Sequence, residues 1–151
     1  MISISILDEF QKKDIKLDSK QVEFLNLVEV SIKRDKKIFS FLRSKKIVSI
    51  YLYGGVGIGK TILLKSIASK LNQEYKFIHF TNFMNHIKKR LDKLDGQKNP
   101  LDKVIDELKD QKRLIFIDEF QVEDVADAMI IAEIMPKLYL NQIPLFISSN
   151  S

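Results

Sequence analysis

A β-branched and aromatic run, "IVSIYLY" over 47–53, passes straight into the glycine-rich "GGVGIGKT", and from Lys60 the apolar positions Leu63, Leu64, Ile67, Ala68 and Leu71 recur at helical spacing. A strand that enters a helix through so short a turn must fold that helix back across its own sheet, so this stretch commits the chain to α/β architecture. Four of the chain's five glycines fall within the six positions from Gly54 to Gly59. Glycine tolerates positive φ and leaves the backbone bare, which lets successive N–H groups of residues 55–60 turn inward around an anion.

The spacing of Gly54, Gly59, Lys60 and Thr61 satisfies G-x-x-x-x-G-K-[ST], in the strand-to-helix context that motif requires. Gly54, Gly55, Val56, Gly57, Ile58, Gly59, Lys60, Thr61 and Ile62 are therefore expected to cradle the phosphates of ATP. The helix adds its N-terminal dipole, Lys60 reaches toward the β- and γ-phosphates, and the Thr61 hydroxyl is placed to ligate Mg²⁺.

The rest of the chain repeats the alternation. Residues 18–43 read as helical, with Asp18 or Ser19 as cap, Val22, Leu25, Val28 and Ile32 at helical spacing, and a second piece around Ile38, Phe39 and Leu42. Strand 76–80 ("KFIHF") precedes a helix from Thr81 to about Leu94, whose stripe Phe83, Ile87, Leu91, Leu94 leaves the basic run His86–Arg90 on a solvated face. A polar loop with Gly96 and Pro100 leads to a helix near 101–109. The run "RLIFIDEF" (113–120) has the look of a central parallel strand ending in acids, and a helix over 124–139 precedes the strand "PLFISSN" (144–150). The expected organisation is a helical lead-in over 1–46 followed by a core over 47–151, a mostly parallel sheet between helical layers.

Asp118 and Glu119 close that central strand, at the end of an open α/β sheet where ligands bind. Asp118 suits Mg²⁺, and Glu119 suits a water attacking the γ-phosphate. Small-molecule kinases need no base beside the Mg²⁺ acid, so the pair favours hydrolysis. Asn150 ends the next strand and lies near Glu119 if the two strands are neighbours. Lys60, Glu119 and Asn150 are thus the expected catalytic residues, and Thr61 and Asp118 the metal ligands.

Composition removes other classes. The 151 residues hold no cysteine, which excludes disulfides, thiolate metal sites and cysteine nucleophiles, and the two histidines are too few for a zinc site without carboxylate help. No apolar run approaches the ~18 residues of a membrane span, and the start "MISISILDEF" lacks the marks of a signal peptide, so a bacterial cytoplasm is the simplest expectation. The net charge of +5 arises from interleaved basic and acidic residues and does not demand a nucleic-acid partner.

"YLYGGVGIGKT", "IHFTNFM", "IDEFQVEDVADAMI" and "ISSN" together resemble the ZapE or AFG-like ATPases, a branch of the AAA+ superfamily, from about Leu17 to Asn150. The resemblance implies a three-layer αβα P-loop fold, Mg²⁺-dependent ATP hydrolysis, Asn150 at the sensor-1 position, and protein partners in cell division or quality control, often near a membrane surface. It also implies strand order 5-1-4-3-2 and, in homo-oligomers, an arginine finger and a helical lid beyond the strand that ends at Asn150. With the sequence stopping at Ser151, the lid is expected to be absent, the first strand to be an edge, and turnover to be slow for want of the finger. Of Arg34, Arg43, Arg90 and Arg113, Arg90 is the first candidate to replace it. Three residues depart from the family's pattern. Ile58 stands where an arginine is usual, Thr81 replaces a histidine, and Pro136 interrupts a helix it should kink. Two other functions stay open at this point, a catalytically weak nucleotide-binding interaction module and a nucleic-acid motor or helicase loader.

Overall fold

The computed structural model of the chain describes residues 2–13, 16–26, 49–55, 59–70, 74–111 and 113–150. In chain order these form α1 (Ile2–Lys12), a helix over 19–26 (α2), β1 (Ile50–Gly54), α3 (Lys60–Lys70), β2 (Tyr75–His79), α4 (Phe80–Lys93), α5 (Pro100–Asp110), β3 (Leu114–Asp118), α6 (Val125–Leu140) and β4 (Leu145–Asn150). The four strands make one parallel sheet in the order β1-β4-β3-β2. From β2 through β3 to β4 the chain steps one way across the sheet, whereas β1 to β2 crosses it the other way. Right-handed crossovers then put α3 on one face and α4, α5 and α6 on the other.

The two cores follow from that division. Every residue of β3 is buried, and its side chains alternate between faces. Leu114 and Phe116 join Leu63, Leu64 and Ile67 of α3, while Ile115 and Ile117 join Phe83, Ile87, Ile105 and Ile134 of the three opposite helices. Phe116 and Phe146 are fully buried, each worth ~1.5–3 kcal/mol of transfer free energy. Leu91 and Leu94 pack at the margin of the second core, as the stripe on α4 predicts.

Local chemistry sets the ends. Asp18 caps α2 through a reciprocal pair in which the Gln21 N–H donates to Asp18 Oδ1 at 2.8 Å and the Asp18 N–H donates to Gln21 Oε1 at 2.8 Å. Asp124 caps α6, accepting from the N–H groups of Ala126 and Asp127. α6 continues through Pro136 to Leu140.

Several boundaries differ from the sequence reading. Strand β3 stops at Asp118 instead of running to Phe120, because Glu119 adopts φ 54° and leaves the extended region. Phe80 opens α4 instead of closing β2. Helix α1 carries no clear sequence signal of its own. It is held by burial of Phe10 at 2% exposure in the core beside α3, and by Glu9, which pairs with Lys13 and with Lys70 of α3. Val28, Ile32, Ile38, Phe39, Leu42, Leu71 and the start of the 47–53 strand lie outside the described residues.

Candidate nucleotide-binding site

The C-terminal ends of the four strands lie side by side, with Gly54 of β1 opposite Asn150 of β4 and Asp118 of β3 opposite His79 of β2. Gly59, at φ 72°, makes the turn into α3 in a region that favours glycine. A Cβ there would meet only Gln21 Nε2 at 3.7 Å, an ordinary contact, so backbone conformation and not space calls for glycine. Val56, Gly57 and Ile58 lie outside the described residues. Lys60, 7% exposed, donates through Nζ to the carbonyl oxygens of Gly54 at 2.8 Å and Gly55 at 2.6 Å. The ammonium is thereby folded back over the loop's own backbone at the N-terminus of α3. Ile62 is half exposed on the first turn of that helix.

The Thr61 hydroxyl donates to Asp118, its single proton shared between Oδ1 at 2.9 Å and Oδ2 at 3.1 Å. Asp118 is buried and also accepts from the hydroxyl of Ser148. Because side chains alternate along a strand, Asn150 faces the same way as Ser148 and stands one step further out, beside the loop. That arrangement satisfies the condition on which its role depended, since β4 and β3 are neighbours.

Glu119 owes its conformation to its neighbours. On one side Asp118 is tied by its carboxylate to Thr61 and Ser148. On the other, the Phe120 N–H donates to the Ser148 carbonyl at 2.8 Å, and the Ser149 hydroxyl donates to the Phe120 carbonyl at 2.8 Å. The Phe120 ring is wedged against Phe80, centroids 4.7 Å apart. Clamped at both ends, Glu119 is held in a left-handed conformation that costs about 1–3 kcal/mol in an unconstrained chain. Its carboxylate approaches His79, with Glu119 Oε2 3.6 Å from Nδ1.

Ser148, Ser149 and His79 escaped the sequence reading. The available signal was two hydroxyls at the end of an apolar strand, because a serine at 1% exposure must have a polar partner. Among the described residues no arginine reaches the site. Arg90 is held by Glu107 of α5 and Arg113 by Glu74 at the opposite end of β3, while Arg34 and Arg43 lie outside the described residues. Lys88, in the same basic run as Arg90, pairs with Asp127 of α6.

A parallel sheet in the order β1-β4-β3-β2, helices on both faces, a glycine loop after β1 and an acid ending β3 define a three-layer α/β P-loop fold of the AAA+ type. Structures sharing it include the DnaC helicase loader (TM-score 0.57, 18% identity, 91% of this chain and 75% of that one). AMPPCP-bound DnaA from Aquifex aeolicus also shares it (TM-score 0.50, 23% identity, 82% of this chain and 38% of that one). At those identities the likeness concerns the fold alone. The family model for the AFG1-like ATPases matches residues 5–151, and the chain belongs to that family. It is 37% identical over 102 residues to the cell division protein ZapE of Escherichia coli K12, a match covering 67% of this chain and 27% of that protein. The chain thus spans about a quarter of the length of that relative.

Proposed function

We propose that the chain binds ATP with Mg²⁺ at the C-terminal ends of β1, β4 and β3 and hydrolyses it, acting on a protein partner in cell division or quality control in the cytoplasm. The observation that carries the reading is the bond between the Thr61 hydroxyl and the Asp118 carboxylate, made across 57 residues of sequence. It joins two hard oxygen donors at the entrance of α3, the donor type Mg²⁺ selects. Lys60 supplies a buried cation with no carboxylate partner among the described residues, suited to the β- and γ-phosphates. Thr61 and Asp118 would hold Mg²⁺, which would supply charge neutralisation to the phosphate oxygens. Glu119 orients and deprotonates the attacking water, and Asn150 hydrogen-bonds that water or the terminal phosphate. Support for a role in division comes from the named relative, and no helix among the described residues is long and apolar enough to cross a membrane.

The experiment is calorimetric titration of Mg·ATP into the parent and Lys60→Ala. Loss of a charge-assisted contact worth ~1.5–3 kcal/mol lowers affinity at least tenfold. Equal affinities overturn the proposal.

A further inference from the structure

Of the 16 residues of α6 only Asp127, Glu133 and Lys137 are charged. A helix so apolar is ordinarily enclosed. α6 is enclosed on one side, where Ile134 and Leu138 enter the core. On the other side Val125, Met129, Ala132, Pro136, Tyr139 and Leu140 follow at helical spacing in one exposed stripe about 22 Å long. Val125, Met129, Tyr139 and Leu140 are 65–78% exposed, and nothing among the described residues covers them. Beside the stripe, across Glu133, lies a cleft of about 550 Å³ between α6, the end of α4 and the start of α5. Half-buried Leu91, Leu101 and Ile130 form its floor, and exposed Asp92, Asp95 and Glu133 stand on its rim. None of these three carboxylates has a cationic partner among the described residues, although the chain carries a net charge of +5. Lys137 of α6 and Lys103 of α5 are engaged by other groups, Asp102 and Gln97.

We propose that the α6 stripe and the acidic cleft beside it form a docking surface for an amphipathic helix of a protein partner, whose apolar face lies along α6 and whose lysines or arginines project from one flank into the cleft. The inference deepens the protein-partner part of the proposed function and rests on that part alone. Charge decides the occupant. A nucleic acid or an anionic membrane surface is repelled by the three carboxylates. A second copy of the chain is disfavoured by the stripe itself. Its midpoint falls between Ala132 and Glu133, so antiparallel pairing of two α6 helices centred there brings like carboxylates together. A basic flank meets all three carboxylates, and its long side chains lay their aliphatic stems over Leu91, Leu101 and Ile130.

The full chain is panned against a displayed library of helical peptides of about 18 residues, with leucines fixed at i, i+3, i+4 and i+7 spacing and one flank varied among Lys, Arg, Gln and Glu. Selection enriches Lys and Arg on that flank; no binders, or binders without a basic flank, overturn the proposal. The selected peptide is then measured by fluorescence anisotropy. Its affinity falls at least about threefold in Asp92→Asn/Asp95→Asn/Glu133→Gln, an effect that shrinks as salt rises, and at least about tenfold in Met129→Ser/Leu140→Ser. All five positions are exposed, so both variants keep the parent's fold and thermal midpoint. Undiminished affinity in either variant places the peptide elsewhere and refutes the surface. A parent that sediments as a dimer and becomes monomeric in Met129→Ser/Leu140→Ser assigns the stripe to a second copy. Retention on phosphatidylglycerol vesicles that is lost in the same variant assigns it to a membrane, and either result overturns the proposal. Lys60→Ala, the variant that tests ATP binding, leaves peptide affinity unchanged, so the two readings fail independently.

Discussion

Replacing Ser148 by alanine tests whether the buried hydroxyl holds the site together. Ser148 is 1% exposed and donates to the Asp118 carboxylate, itself 7% exposed, so the bond lies out of solvent and involves a charged acceptor. Such bonds contribute about 1.5–3 kcal/mol. Thr61 still donates to Asp118 in the variant, so the carboxylate is not orphaned and the cost falls in the lower part of that range, about 1.5–2 kcal/mol. For a chain of this size each kcal/mol moves Tm by about 2–4 °C, giving a fall of roughly 3–8 °C. Ser149→Ala is the internal control. Its hydroxyl donates to a neutral backbone carbonyl, that of Phe120, and its loss should cost only about 0.5–1.5 kcal/mol. Thermal unfolding followed by circular dichroism at neutral pH measures both. A Ser148→Ala variant within about 0.5 kcal/mol of the parent, or a Ser149→Ala variant that loses more, refutes the assignment of Ser148 to the buried network.

Glu119→Gln keeps the shape of the site but loses the carboxylate, so ATP binding persists and hydrolysis falls to background; unchanged turnover in a coupled phosphate assay means another group orients the water. Burial first, then the charges of Lys76 and Arg90, hold His86 below its ordinary value of 6.5 against the opposing pull of Glu107. The unfolded chain therefore takes up that proton before the folded one. The stability it represents is complete above 6.5 and is lost as pH falls from there through the lower folded value, so urea midpoints on either side of 6.5 should differ less in His86→Gln than in the parent. Pro136→Ala restores a donor to the interior of α6 and should raise stability by about 1–3 kcal/mol, the helix penalty of proline less its restriction of the unfolded chain, and an unchanged urea midpoint would mean that the helix has already absorbed the cost.

How much of the site was legible depended on the distance over which each residue acts. The Lys60 position needs only the glycine spacing before it and the helical period after it, and the acids of 118–119 stand out because they end an apolar run. Glu119 was legible as a residue but not as a conformation. Its positive φ is imposed by Ser148 and Ser149, some 30 residues further along the chain, and no local signal marks a glutamate for the left-handed region. Arg90 shows the converse. Its place in the run His86–Arg90 suggests availability, and only the packing of α4 against α5 brings Glu107 to it.

The sequence by itself determined the alternation of strands and helices, the buried character of β3 and the glycine-rich turn between β1 and α3, because each is written in consecutive residues through period, β-branching or the φ freedom of glycine. The tertiary structure alone decided that Thr61 and Ser148 share the Asp118 carboxylate, that Asn150 stands opposite Gly54, that His79 faces Glu119, and that α1 docks on α3. Those pairings depend on strand order and on register. A slip of one residue in a parallel ladder sends every side chain to the other face, so partners far apart in sequence are set only when both cores bury their own alternate residues.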